Sequence, residues 1–339
     1  MSSTRAPSAT GPAYARGQSV TGQFQLRRGG GCAAGPVVEL TDGRQASYEV
    51  AGSGWPALML PGGPGLGAAF TYHHAELFTD TLESYLIDPH GSGRSTSPRD
   101  ASAYSPEGHA VFYDEVRHAL DLGEMLLLGE SFGATTALTY AALFPEQVNG
   151  CIAVSAFGVG PAAGTGAASS VEAEAERGLV RHASAAWYPE ARPVMDEWTE
   201  RVLAADDAHE VERMYRLVLP MYTAHPDRPD VAAGLEALRR RVTFDLAAVK
   251  AWEAGLYRTI DLRPLLAKIT CPTLVVAGEL DFICGPAQAR PIWRLFHRPA
   301  GDHSRLRPLP RVRSPAGLQR SCTAVPGGEP EIGRRTSRT

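Results

Sequence analysis

The sequence predicts an α/β fold: a mainly parallel sheet flanked by helices, interrupted by a helical cap insertion. Three observations carry this. Short, near-continuous apolar runs at residues 57–60, 85–87, 125–128, 148–155 and 272–277 alternate with helical stretches, the pattern of strands buried on both faces. Residues 156–257 show no strand pattern, only amphipathic stretches carrying Trp187, Tyr188, Trp198, Met214, Tyr215 and Trp252. A helical insertion that splits such a core commonly roofs the site at the strands' C-terminal ends. Finally, three apolar runs end in Gly-rich turns: Pro61-Gly62-Gly63-Pro64-Gly65, Asp88-Pro89-His90-Gly91-Ser92-Gly93 and Gly129-Glu130-Ser131-Phe132-Gly133.

Taken in chain order, residues 1–36 are rich in Ser, Ala, Gly and Arg and contain no acidic residue. They predict a disordered tail, or a start codon set too far upstream. Residues 37–155 form the first part of the core. Within it, 37–41 and 46–50 flank the turn dipeptide Asp42-Gly43 and predict a hairpin. Ser105-Pro106-Glu107 opens a helix with a cap residue, a first-turn proline and an early acid. A second helix spans about 132–144, closed by Pro145. Residues 156–260 are the cap, 261–292 the second part of the core, and 293–339 an Arg/Pro-rich tail without periodicity.

Composition narrows the function classes. The 339 residues are 44% hydrophobic and 21% charged, with formal net charge −4, an ordinary globular balance with no overall pull toward nucleic acid or anionic membrane. No apolar run is long enough to span a bilayer, and the N-terminus lacks a secretory apolar core. The five cysteines, Cys32, Cys151, Cys271, Cys284 and Cys322, contain no CxxC pair and predict free thiols in the cytoplasm. No metal or organic cofactor is expected. The expected partner is a small-molecule or peptide substrate.

The chemistry centres on Ser131. A Gly-x-Ser-x-Gly run between a strand and a helix makes a tight, strained turn that holds the hydroxyl at the sheet edge, with the next helix's N-terminus aimed at the site. Gly63, in a loop where backbone can approach a substrate oxygen, and Phe132, just after the serine, offer N–H groups for an oxyanion hole. Asp281 follows a buried run and suits a carboxylate that orients a histidine; Glu279 is the alternative.

Together PGGPG, DPHGSGRS, GESFGA and GELD resemble the prolyl iminopeptidase branch of the α/β-hydrolases over residues 37–292. That branch shows a His-Gly-Gly-Pro-Gly oxyanion loop and an Asp-x-Arg-Gly-x-Gly-x-Ser turn. Here Pro61 replaces the histidine, His90 replaces the arginine, and Phe132 stands where the peptidases usually carry Trp. The resemblance implies a serine hydrolase working through an acyl-enzyme, with N-terminal proline as a candidate substrate. It also implies cap carboxylates for the substrate's amine; Glu172, Glu174 and Glu176 lie in the cap but read as a solvated helix face. The same machinery serves an esterase or lactonase. Epoxide hydrolases and dehalogenases are disfavoured because they carry aspartate at the elbow.

Such an enzyme needs a base histidine after the acid. The resemblance implies a Gly-His-Phe-Pro-like stretch after the last strand, and residues 293–339 contain none. Back-translated with GC-rich codons and read from the second base of Arg305, residues 305–322 can give Asp-Cys-Gly-His-Phe-Pro-Glu-Phe-Glu-Ala-Pro. The tail therefore reads as an out-of-frame translation, its lost histidine codon straddling Pro308 and Leu309. In-frame alternatives are His303 and His297. His73 and His74, after the oxyanion loop, are not placed as a triad base. An Arg-rich tail that binds phosphate lacks aromatic interleaving or a recognised motif. The non-enzymatic alternative is an inactive hydrolase-fold protein.

Overall fold

A computed structural model describes residues 35–158 and 168–296. The predicted N-terminal tail up to residue 34, and the Arg/Pro-rich tail from residue 297, fall outside the described residues.

Seven strands form one sheet in the order β1-β2-β4-β3-β5-β6-β7. They are β1 (Val37–Glu39), β2 (Gln45–Gly52), β3 (Trp55–Leu60), β4 (Leu82–Ile87), β5 (Met125–Glu130), β6 (Val148–Val154) and β7 (Thr273–Val276). β1 and β2 form the antiparallel hairpin predicted around Asp42-Gly43, and β2 pairs antiparallel with β4. From β4 through β3, β5 and β6 to β7 all pairing is parallel. The fold class is thus the predicted one, with β3 and β4 starting earlier than their apolar runs. The edge residues Trp55, Glu83 and Ser84 extend ladders that hydropathy alone does not reveal.

Between β3 and β4 lies the short α1 (Tyr72–Glu76). Between β4 and β5, α2 (Pro106–Ala119) starts as its cap sequence dictates: the Ser105 hydroxyl accepts the Gly108 N–H at 3.1 Å. After the elbow, α3 (Phe132–Leu143) is apolar on every side and almost wholly buried, because it is wedged between the sheet and α2. Tyr140 donates to Asp114 on α2 at 2.8 Å, and Arg117 donates to the same carboxylate oxygen at 2.8 Å. The polar ends of that buried seam are therefore satisfied.

Between β6 and β7 the described chain is helical: α4 (Ala168–Val180), α5 (Tyr188–Asp196), α6 (Trp198–Ala204), α7 (Ala208–Val218), α8 (Pro229–Arg241), α9 (Leu246–Glu253) and α10 (Arg263–Leu266). The apolar faces of α4 to α9 contribute to a cluster of their own around Val194, Val202, Val211, Tyr215, Val218 and Phe244, whereas α10 packs on the sheet core through Leu266. Two buried residues from outside the insertion complete that cluster: Leu66 in the Gly/Pro loop after β3 and Phe282 in the loop after β7. A backbone seam reinforces the first contact. Gly67 donates to Thr243 at 3.2 Å and Asp245 to Gly65 at 2.8 Å, flanking an antiparallel bridge between Leu66 and Phe244. The insertion is thereby fastened to the loops that surround Ser131. α11 (Pro286–Phe296) follows β7 and runs past the expected end of regular structure at residue 292. No helix among the described residues is long and apolar enough to cross a membrane.

Candidate active site

Ser131 sits between the last residue of β5 and the first of α3, at φ 56° and ψ −119°. Only a few per cent of non-glycine residues adopt positive φ. Holding one there costs about 1–3 kcal/mol, and the conformation persists only where the surroundings impose it. Here the surroundings do so. The Ser131 N–H donates to the Val154 carbonyl at 2.9 Å, and its carbonyl accepts from Ala134 and Thr135. The two flanking glycines are sterically required. A Cβ on Gly129 would lie 2.2 Å from the Gly133 carbonyl oxygen, and one on Gly133 would lie 2.1 Å from that of Leu60. The second contact has a further effect: it lays the elbow directly against the end of β3, where the Gly/Pro loop begins.

That loop is fixed from below by the Asp88–Ser95 turn. Asp88 accepts the Ala68 N–H at 2.8 Å and the Ser47 hydroxyl. Ser92 donates to the Gly65 carbonyl at 2.9 Å, and Ser95 donates to the Asp88 carbonyl at 2.7 Å. Gly91 has no room for a side chain, since a Cβ would press into Asp245. The second Gly-rich motif is therefore the cradle of the first. Gly63 adopts φ +117°, and a Cβ there would meet the Gly65 and Leu66 amides at 2.9 Å. Phe132 heads α3, where the first amides have no intrahelical acceptor. The candidate oxyanion donors Gly63 and Phe132 so come from two segments locked together through Gly133.

Asp281 lies in the loop after β7. One carboxylate oxygen accepts the N–H groups of Ile283 at 2.9 Å and Cys284 at 2.8 Å. Glu279, the alternative acid, is exposed. Both border a cleft of about 330 Å³ that also involves Glu174, Arg177 and Arg181. The loop returns to the elbow through Cys284. This buried thiol lies beside the Ser131 side chain, and burial pushes its pKa well up. Cys284 thus bridges the candidate nucleophile and acid. As a lone cysteine without a partner motif, it gave no signal in the sequence. His303 and His297, the in-frame candidates for the base, lie outside the described residues. No histidine among the described residues is hydrogen-bonded to Ser131.

Several polar groups near the site differ from expectation. Glu174 is not simply a solvated helix residue: it accepts the Ala287 N–H at 3.0 Å, capping the start of α11. Glu172 and Glu176 are exposed, and Glu176 pairs with Arg192 at 3.4 Å. His90, standing where the resembled family has arginine, is buried against Tyr104, His109 and Phe112. Neither of its ring nitrogens has a hydrogen-bond partner among the described residues. Burial, reinforced by neighbouring His109, depresses its pKa to about 2; burial also depresses that of His109 to about 4. Both rings are neutral packing elements, and His109 touches the Phe132 ring edge-on.

Glu130, immediately before Ser131, receives two imidazoles from α1. His74 Nε2 lies 2.7 Å and His73 Nε2 3.2 Å from the same carboxylate oxygen. These interactions hold the Glu130 carboxyl well below the usual range, despite its burial. His73 and His74 do not stand where a triad base would, and a Glu 56 residues beyond His74 has no local spacing to betray the contact.

Comparison with known proteins agrees with this architecture. Residues 56–300 match the alpha/beta hydrolase fold family. The chain is 31% identical to a proline iminopeptidase of Neisseria meningitidis over 117 residues, covering 34% of this chain and 37% of that relative. The chain therefore spans well under half of that relative's length. A proline iminopeptidase of Clostridium botulinum is 26% identical over 272 residues, 73% of this chain and 84% of the relative. Among solved structures, an alpha/beta fold family hydrolase from Bacillus anthracis superposes with a TM-score of 0.57 at 18% identity, covering 77% of this chain and 87% of that one. The enol-lactonase from Burkholderia xenovorans gives 0.55 at 16% identity, with 77% and 87% covered. The fold, the motif order and the family match over 56–300 lead to one conclusion: the chain belongs to the α/β-hydrolase family.

Proposed function

We propose that this protein is a serine hydrolase that works by acyl transfer, with Ser131 as nucleophile and an aminopeptidase releasing N-terminal proline as its activity. The observation that carries the first part is the enforced conformation of Ser131 at φ 56°, ψ −119°. A strained serine, over-determined by two obligatory glycines and set beside a pinned glycine loop, has no structural purpose that a glycine would not serve better. The similarity to proline iminopeptidases supports the second part.

In this mechanism Ser131 attacks the carbonyl, and its proton passes to a histidine oriented by Asp281. The negative oxygen of the tetrahedral intermediate is held by the Gly63 and Phe132 amides. The same histidine then protonates the leaving amine, and water releases the acyl group. Base candidates are His303, His297 or a histidine lost to a frame change.

A fluorophosphonate probe, with proline 2-naphthylamide and p-nitrophenyl acetate as substrates, tests this. Turnover of the naphthylamide that disappears in Ser131→Ala supports the peptidase. Turnover of the ester alone favours an esterase or lactonase. No turnover in this chain, but turnover after restoring the reading frame from codon 305, assigns the base to the lost frame. No turnover and no labelling in either supports an inactive hydrolase-fold protein.

A further inference from the structure

Two adjacent histidines that converge on one carboxylate oxygen are an arrangement the acyl-transfer chemistry does not use. His73 and His74 share α1, their ring centroids are 4.0 Å apart, and the rings are tilted 39° to one another. Consecutive helical residues ordinarily diverge by about 100° around the axis. Here both rings turn to the same side, and both present Nε2 to Glu130 Oε2. The three donor atoms lie within 4.8 Å of one another, the one such group of His, Cys, Asp or Glu donors found among the described residues.

As a hydrogen-bonded group the arrangement is redundant. His74 Nε2 alone, at 2.7 Å, supplies a hydrogen-bond partner to the Glu130 oxygen, and His73 Nε2 brings a second ring nitrogen to the same atom at 3.2 Å. As a ligand set it is well matched. Zinc bonds to imidazole nitrogen and carboxylate oxygen at about 2.0–2.2 Å, so two ligands in tetrahedral array stand roughly 3.4 Å apart. The two N···O separations, 2.7 and 3.2 Å, approach that value and reach it with small side-chain adjustments. Two imidazoles and one carboxylate are also a known zinc donor set with a fourth position left open. The His73 ring is held edge-on against the Phe70 ring, with centroids 5.9 Å apart. Finally, His73 is half-exposed and His74 nearly buried, so an ion has an entry side.

We propose that His73 Nε2, His74 Nε2 and Glu130 Oε2 bind one Zn²⁺ beside the nucleophile elbow. The ion ties α1, which continues the oxyanion-loop segment, to the end of β5 that carries Ser131. It replaces the hydrogen bonds between the imidazoles and Glu130 and releases any proton shared among them. The proposal is independent of whether the chain hydrolyses any substrate.

Equilibrium dialysis of the full chain against Zn²⁺, with metal quantified by mass spectrometry, tests it. One zinc per chain is expected, with affinity reduced at least tenfold in His73→Ala, His74→Ala and Glu130→Gln. His73→Ala keeps the test sound if the two more buried variants misfold. Co²⁺ substitution is expected to give the intense visible absorption of a four-coordinate site, lost in the same variants. Absence of stoichiometric zinc, or zinc binding unchanged in His73→Ala and His74→Ala, overturns the proposal. The second result would place the ion on other ligands.

Discussion

The two sides of the candidate active site are built in different ways. On the elbow side, Ser131, Gly63 and Phe132 are placed by backbone. Gly129 and Gly133 have no space for a Cβ, and the Asp88–Ser95 turn anchors the glycine loop with hydrogen bonds from the ordered core. On the acid side, Asp281 hangs from two amides in a loop beyond β7. β7 is the terminal strand of the described sheet, and Leu274 on it is 44% exposed. The contrast separates two properties of a nucleophile. Its position is a local, steric matter, encoded within a few residues. Its activation, in the proposed mechanism, is a long-range matter, because the proposed acid Asp281 and the candidate bases lie far downstream in the sequence.

The contrast yields graded predictions. The largest concerns the acid. Asp281→Asn keeps an oxygen for the Ile283 and Cys284 amides, so the melting free energy should change by less than about 1 kcal/mol. Turnover, measured with the better of the two substrates, should fall by about 10³–10⁴-fold. Equal turnover would remove Asp281 from the mechanism. Next comes the elbow. Gly133→Ala forces a Cβ to 2.1 Å from the Leu60 carbonyl and should destabilise the fold by about 3 kcal/mol or more, read by chemical denaturation. An effect below about 1 kcal/mol would mean that the elbow is not sterically determined.

The third effect is pH dependence. His90 and His109 are neutral in the fold, with pKa values near 2 and 4, against about 6.5 for an unfolded chain. Their contribution is fully present above pH 6.5 and is lost as pH falls toward 4 for His109 and toward 2 for His90, since the unfolded chain takes up the protons first. Stability should fall by up to about 1.4 kcal/mol per pH unit for each histidine in that window. His109→Phe, tested by denaturation at pH 7 and pH 5, should shrink the difference between the two; an unchanged difference would count against it. The smallest effect is relief of strain. Ser131→Gly should raise stability by about 1 kcal/mol. A loss of stability on that change would show that the serine conformation is not strained.

Much of this was legible in the sequence. The cap of α2 was readable because Ser105-Pro106-Glu107 is a local signal, and the elbow was readable because its glycines stand at fixed positions around Ser131. What escaped depended on distance. β4 begins at Leu82 rather than residue 85, since Glu83 and Ser84 are held by ladder partners on β3 and β2. The role of the Asp88–Ser95 turn as cradle needed the β3 loop laid across it. Glu174 read as a solvated residue until α11 presented the Ala287 amide to it. Cys284 and the pair His73/His74 carry no motif at all; only folding brings one to Ser131 and the others to Glu130.

The central claim, that Ser131 is the nucleophile of a hydrolytic site, is tested most directly by covalent labelling. The full chain is treated with a fluorophosphonate, digested, and the adduct located by peptide mass spectrometry. The account predicts one adduct, on Ser131, absent in Ser131→Ala and formed faster once the reading frame from codon 305 is restored. An adduct on another residue, labelling that persists in Ser131→Ala, or no labelling even with the frame restored would contradict it.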